Sequence, residues 1–292
     1  MAARIAIFAE AADWHVGRLA AALGRRGCAV HVLSLKTCGF AVGAAPHGLC
    51  LPGFVHELPD AAFVRILPNG TTEQITLRLG VLHALREAGV RVVNDARAIE
   101  RCVDKSMTSF LITRAGLPTP RTLVLEAAEA AQGALDAAPG DMVLKPLFGA
   151  QGRGLKRLAP GARVPPPEEV AGVYYLQDFV PPAGAGHGDF RVFVIGGHAV
   201  AAMRREAEGW ITNIHQGAQG VAIDPEGDLA ALAVAAAEAV GADVAGVDLI
   251  RGADGALQIL EVNSMPAWSG LHAATGRDMA EPIAALLAGT AA

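Results

Sequence analysis

The amino-acid sequence predicts an α/β (α+β) protein of two or three subdomains arranged around a cleft. Three observations predict it. The first hundred residues alternate short apolar strands with helices, and two antiparallel hairpins with glycine turns fill the last third. The chain of 292 residues is also long enough for several packed layers. Hydrophobic residues make up 52% and charged residues 18%, the balance of a folded protein.

In the first unit, residues 1–98, residues 4–9 read as a strand, 15–26 as a helix closed by Gly27, and 29–33 as a second strand. This β-α-β order with a short crossover implies neighbouring parallel strands. A strand over 63–67, the turn Pro68-Asn69-Gly70, a helix over 72–88 stopped by Gly89 and a strand over 90–93 complete the unit. No G-x-G-x-x-G follows the first strand, so no dinucleotide site is expected there.

The second unit, residues 99–176, holds a helix over 104–115 that ends at Gly116, with Pro118 and Pro120 behind it. Strands over 122–125 and 142–146 flank an alanine-rich helix. The segment Phe148-Gly149-Ala150-Gln151-Gly152-Arg153-Gly154 then leads to a strand over 155–158, and the prolines at 165–167 mark a loop. A strand over 173–179 opens the third unit, residues 177–292. Two hairpins follow, 190–195 with 198–203 around Gly196-Gly197, and 244–250 with 256–263 around Asp254-Gly255. Both dipeptides suit two-residue turns because they tolerate positive φ.

A net charge of −5 argues against non-specific nucleic-acid binding. The most apolar stretch, residues 229–247, is interrupted by Glu238 and Asp243, which suits a helix and strand rather than a membrane span. The apolar run 5–9 meets Glu10 and Asp13 at once, unlike a signal peptide. The four cysteines lack C-x-x-C spacing and read as free or buried thiols. The expectation is a cytoplasmic protein with neither nucleic-acid nor membrane partners.

The last hairpin carries the most chemistry. With Asp254-Gly255 as a two-residue turn, Ala253 faces Ala256 and counting outward sets Asp248 opposite Glu261, about 5 Å apart at Cβ on one face. Asn263, two residues on, shares that face. Facing carboxylates repel, and a divalent cation resolves the conflict; oxygen ligands suit Mg²⁺, which also takes nucleotide phosphates. The alternative is that Glu261 and Asn263 are solvent-facing strand positions.

The glycine segment links two strands and lacks G-K-[ST], so it is not a P-loop. Its glycines allow backbone N–H groups to fold over phosphates, although a plain hairpin loop explains them equally well. Lys145 precedes it, as a positive charge for a nucleotide or as a solvated surface lysine. By the same counting around Gly196-Gly197, Asp189 is opposite Arg204. Arg191 shares the Asp189 face, and Arg204 and Arg205 end the partner strand. They form a structural ion pair or a cluster that positions phosphate and acyl oxygens.

These pieces resemble the RimK-like ATP-grasp ligases. The resemblance rests on Leu144-Lys145-Pro146, the loop 149–154, Asp189-Phe190-Arg191, Gly246-Val247-Asp248-Leu249 and Glu261-Val262-Asn263. Asp104-Lys105 with Thr119-Pro120, Gln177-Asp178-Phe179, and Arg65 with Glu73-Gln74-Ile75 and Val93-Asn94 are similar too. The resemblance covers nearly the whole chain and implies an ATP-grasp fold behind a Rossmann-like pre-ATP-grasp domain. It implies that Lys105, Lys145, Gly149, Gln151, Gly152, Gly154, Gln177, Asp178, Phe179, Asp189 and Asn213 bind ATP. Arg191 and Arg205 would hold the reacting groups, while Asp248, Glu261 and Asn263 would bind Mg²⁺ or Mn²⁺. Arg65 and Gln74 would face substrate.

The implied reaction is ATP-dependent amide formation through an acyl phosphate. Glutamate is the expected amine, and the acceptor is a carboxylate of a coenzyme, peptide or protein tail. A homo-oligomer, dimer or tetramer, is the family expectation. The chain departs from many relatives at Ile211, where they have arginine. It departs again at His215-Gln216-Gly217-Ala218, where they have His-Arg-Gly-Gly, and at Met265-Pro266-Ala267-Trp268, where they have Ser-Pro-Gly after the metal residues. Two other readings keep the fold: a small-molecule kinase, and a non-catalytic ATP-binding regulator.

Overall fold

A computed structural model describes residues 2–149, 152–182 and 187–289. The N-terminal unit runs β1 (Arg4–Phe8), α1 (Trp14–Arg25), β2 (Ala29–Leu33), a small antiparallel ribbon of β3 (Gly39–Phe40) and β4 (Leu49–Cys50), then β5 (Ala61–Val64), α2 (Thr72–Glu87) and β6 (Arg91–Val93). Strands β2-β1-β5-β6 make a parallel sheet in that order. All four residues of β5 are buried, as in a strand covered on both faces. Asp13 caps α1 by accepting from the Val16 N–H, and Thr71 with Gln74 forms a reciprocal capping box on α2.

Two helices, α3 (Ala96–Val103) and α4 (Lys105–Arg114), lead into the central unit. It holds β7 (Thr122–Leu125), α5 (Ala128–Asp136), β8 (Met142–Lys145), β9 (Lys156–Leu158) and β10 (Tyr174–Asp178). These strands form an antiparallel sheet in the order β7-β10-β8-β9. Strand β10 therefore belongs to this sheet instead of opening the third unit, as the sequence reading had it. A strand pattern shows that a segment pairs without showing with which sheet.

The third unit comprises β11 (His187–Ile195), β12 (His198–Ala207), β13 (Gln219–Ile223), α6 (Gly227–Val240), β14 (Val244–Arg251), β15 (Leu257–Asn263), α7 (Ser269–Thr275) and α8 (Ala280–Leu287). Its sheet is antiparallel, in the order β13-β12-β11-β14-β15. One face packs on α6 through Val192, Val194, Val247 and Leu249. The opposite face is divided. At one end Phe193, Ile195 and Val244 share a core with Ile5, Ile7 and Phe63 of the N-terminal sheet. At the other end the same face carries Asp189, Arg191 and Asp248 towards the central sheet, across a cleft. The central sheet keeps a separate small core around Leu135, Met142 and Tyr174.

Two bulges set the registers of this sheet. On β12, the turn Gly196-Gly197 pairs Ile195 with His198 as counted, but an extra residue, Val200, then shifts the ladder. Asp189 is consequently opposite Arg205, not Arg204, which corrects the sequence-based pairing. On the β14–β15 hairpin, the Gly252 N–H donates to Ala256 O, so the turn holds three residues, 253–255, instead of two. Leu260 is an extra residue that restores the count, and Asp248 does face Glu261. The bulge has a visible reason. Leu257, Ile259 and Val262 all reach the α6 core, a spacing that strict alternation cannot provide. The change of phase turns Glu261 and Asn263 away from that core. Among the described residues no helix is long and apolar enough to cross a membrane, and all four cysteines are free.

Candidate active site

The cleft between the central and third sheets is lined from both sides by apolar side chains with a few converging charged and polar groups, the make-up of a small-molecule site. Its walls bring together Lys105, Lys145, Gln177, Asp178, Phe179, Asp189, Arg205, Asn213, Asp248 and Glu261, with Gly149 and Gly152 over them. Eight of the ten wall residues come from seven helices and strands, and Phe179 and Asn213 from connecting segments. Their meeting in one cavity is the main structural finding.

On the central side, Lys145 ends β8 and donates from Nζ to Gln177 Oε1 at 2.6 Å, while Gln177 Nε2 donates to Thr122 Oγ1 at 3.0 Å. Burial pulls the Lys145 ammonium down to about 8, with Glu261 opposing and Lys105 adding to the shift. Lys105, the first residue of α4, donates to Gly149 O at 2.7 Å and holds the start of the glycine segment. Gly152 and Gly154 have φ of +70° and +73°, a backbone that favours glycine. A Cβ on Gly152 would lie 2.4 Å from Asn213 Oδ1, so only glycine lets the segment approach that wall. Gln151 lies outside the described residues. Asp178 turns its carboxylate outward to Arg121, at 3.0 and 3.1 Å, and contributes to the wall beside Phe179.

On the third sheet the charges form one buried network. Arg205 donates to both Asp189 oxygens, at 2.6 and 2.5 Å, and its Nη2 is 3.1 Å from Asp248 Oδ2. Thr212 Oγ donates to Asp189 at 2.7 Å. Arg191 grips Asp248 with two bonds, Nη2 to Oδ2 at 2.8 Å and Nε to Oδ1. Burial acts to raise the Asp248 carboxyl, but Arg191 and Arg205 hold it below its ordinary value. For Asp189 burial prevails and the carboxyl moves up, with Arg205 opposing. Two guanidinium groups thus balance Asp248, while Glu261 opposite it has no such partner among the described residues.

Glu261 differs. It lines the cleft and has no hydrogen bond or ion pair among the described residues. Asn263 shares its face but is not on the cleft wall, and its Oδ1 accepts from the Met265 N–H at 3.0 Å. No group of three or more His, Cys, Asp or Glu among the described residues is arranged to hold a metal. The donors present, two carboxylates and an amide, fit a hard cation that completes its shell with phosphate oxygens and water.

Arg191 lies behind Asp248 and does not line the cleft, unlike Arg205. Gly154 supports the segment against Pro146, where a Cβ would meet Cγ at 2.9 Å. Arg65 sits apart, beside His15 and Met265, and the Gln74 side chain completes the α2 capping box. Sequence reasoning missed Thr212, which locks Asp189. It also missed Leu260 and Trp210 on the wall, the latter 6.2 Å from the Phe179 ring. The break in apolar spacing after Ile259 was the available signal for Leu260.

A family model described as RimK-like ATP-grasp domain matches residues 102–287, and one described as RimK PreATP-grasp domain matches residues 3–99. The tetrahydromethanopterin:alpha-L-glutamate ligase of Methanococcus maripaludis is 37% identical over 75% of this chain and 76% of its own length. The enzyme of the same name from Methanosarcina acetivorans is 31% identical over 93% and 94%. A solved structure of the ATP-grasp ligase PsnB with a minimal precursor superposes with a TM-score of 0.76, at 24% identity, over 99% of both chains. With both of its domains matched in order and its cleft assembled as described, the chain belongs to the RimK-like ATP-grasp family of ATP-dependent ligases.

Proposed function

We propose that this protein joins L-glutamate to a carboxylate of a small coenzyme-like or peptide acceptor, at the expense of ATP. The observation that carries the reading is the convergence of two lysines, Arg205 and the unpartnered Glu261 in one cleft beneath a glycine segment. Glutamate as the amine is supported by the names of the relatives.

In this reading Lys105 and Lys145 meet the phosphates and the strand 177–179 meets the base. Gly149, Gly152 and Gly154 lay backbone N–H groups over the phosphates, beside Asn213 and Asp189. Asp248, Glu261 and Asn263 would hold Mg²⁺ or Mn²⁺, which would supply positive charge to neutralise phosphate oxygens. Arg205, on the wall, steadies the charge that develops as the acceptor carboxylate takes the γ-phosphoryl group. Arg191 holds Asp248 in place from behind. The amine nitrogen then attacks the acyl carbon, the bond from that carbon to the phosphate oxygen breaks, and inorganic phosphate and a proton leave as the amide forms.

Incubation with ATP, a carboxylate acceptor and hydroxylamine should yield a hydroxamate. Phosphate release without any acyl adduct across a broad acceptor panel would remove this mechanism.

The Lys145 pKa of about 8 adds a pH signature. Above that value Lys145 loses its positive charge in the free site, so affinity for a non-hydrolysable ATP analogue should fall up to about tenfold from pH 7 to pH 9. Lys145→Arg should flatten this dependence, because arginine stays charged. For folding the sign is opposite. Between about 8 and the ordinary lysine range the native state binds fewer protons, so this group's contribution to stability rises with pH.

A further inference from the structure

The N-terminal sheet has a topological switch point of its own. In the order β2-β1-β5-β6 the chain passes from β1 through α1 to β2 on one side, and later returns to β5 on the other side of β1. Ligands of open parallel sheets bind outside the carboxyl ends of the strands at such a reversal. Here Asp13 and His15 follow β1, and Arg65 directly follows β5. Trp268, from the segment between β15 and α7, joins them. Its ring is 0% exposed and its centroid lies 4.6 Å from that of His15.

The polar groups there are undersatisfied. Among the described residues four buried side-chain nitrogen or oxygen atoms lack a hydrogen-bond partner, and two of them are Arg65 Nε and Trp268 Nε1. The remaining Arg65 contacts are long, at 3.4 Å to Met265 O, 3.4 Å to His15 Nδ1 and 3.8 Å to Asp13 Oδ2. Charge-assisted bonds normally run about 2.7–2.9 Å. Asp13 is otherwise engaged, with Oδ1 accepting from the Val16 N–H at 2.8 Å and Oδ2 3.2 Å from His15. The Arg65 guanidinium also lies over the Trp268 ring, 5.9 Å from its centroid, but a buried guanidinium Nε–H and a buried indole N–H without acceptors are costly unless a ligand supplies them. The Arg65 side chain keeps 14% of its surface exposed, so a ligand would reach this guanidinium from its outer edge. It is also close to the reaction centre. The Met265 carbonyl accepts from Arg65, and the Met265 N–H donates to Asn263, on the same face as Glu261.

We propose that this switch point recognises a carboxylate that takes no part in bond formation, with Arg65 as its cationic partner and the Trp268 indole N–H as its neutral donor. A planar two-oxygen anion matches a guanidinium fork, and Arg65 has unused donors for it. The inference rests on the ligase reading for the origin of that carboxylate, which belongs either to the incoming amino acid or to the acceptor.

Calorimetric titration of the full chain with L-glutamate, and separately with glutarate as an acceptor-like dicarboxylate without an amine, tests it in the presence of a non-hydrolysable ATP analogue. At least one probe should bind saturably at millimolar concentration. Arg65→Gln should weaken that probe by about ten- to a hundredfold, and Trp268→Phe, which keeps a ring but loses the N–H, by about fivefold. Nucleotide affinity should be unchanged in both variants. The probe that loses affinity identifies the source. Arg65→Lys, which retains the buried charge but not the fork, serves if Arg65→Gln does not fold, and should also weaken binding about tenfold. The proposal is overturned if neither probe binds the wild type, or if the variants bind both probes as the wild type does. Loss of nucleotide binding and of hydroxamate formation by the wild type would instead sink the ligase reading itself.

Discussion

Arg205→Met is expected to destabilise the fold by about 3–5 kcal/mol, the cost of stranding a buried charge. Asp189, Arg205 and Asp248 are 4%, 3% and 5% exposed, and Arg205 touches both carboxylates. Without it Asp189 keeps, among the described residues, only the Thr212 side chain, whereas Asp248 keeps Arg191. Asp189, whose carboxyl is already raised by burial, should then bind a proton, so the variant recovers part of its stability as pH falls through the carboxylate range. Asp248 works in the other direction. Its carboxyl is held low, so its contribution is complete above the ordinary aspartate value and is lost as pH falls through the native one. Arg204→Met is the control, since Arg204 is one residue away but its side chain is 52% exposed, and it should stay within about 0.5 kcal/mol of wild type. Urea denaturation of both variants decides the matter. A costly Arg204→Met beside a harmless Arg205→Met would mean that the bulge at Val200 is misplaced.

Glu261→Gln should do the reverse, leaving stability intact and removing turnover. The carboxylate has no hydrogen bond or ion pair among the described residues, so its loss should change unfolding free energy by no more than about 0.5 kcal/mol. In the cleft it is the one carboxylate whose charge is not already met by arginine. Phosphate release should fall by about 10²–10³-fold, the scale seen when one preorganised electrostatic partner is removed. The divalent-ion concentration needed for half-maximal rate should rise. Full turnover by Glu261→Gln at low Mg²⁺ would show that this residue is not a metal ligand.

The two hairpins show how much of the site was legible. Both turns contain a dipeptide that tolerates positive φ, and both strand pairs were recognisable from apolar runs. For Asp248 and Glu261 the count succeeded because two departures cancelled, a three-residue turn and a bulge at Leu260. For Asp189 a single bulge at Val200 remained uncancelled, and the partner was Arg205 instead of Arg204. An error of one residue exchanges a buried network for a surface arginine, because successive side chains point to opposite faces. Trp268, one of the residues where the chain departs from many relatives, has a fully buried ring.

The sequence by itself determined the element types, the glycines at positive φ, and the lysines, arginines and carboxylates available for nucleotide chemistry. Composition, spacing and turn residues act locally, and local rules are enough for those. Tertiary structure alone decided that β10 joins the central sheet, that Arg191 stands behind Asp248, and that Arg65 lies over the Trp268 ring. Those outcomes depend on which apolar faces meet across the fold. A bulge that satisfies α6 on one side of the sheet settles which charges face the cleft on the other.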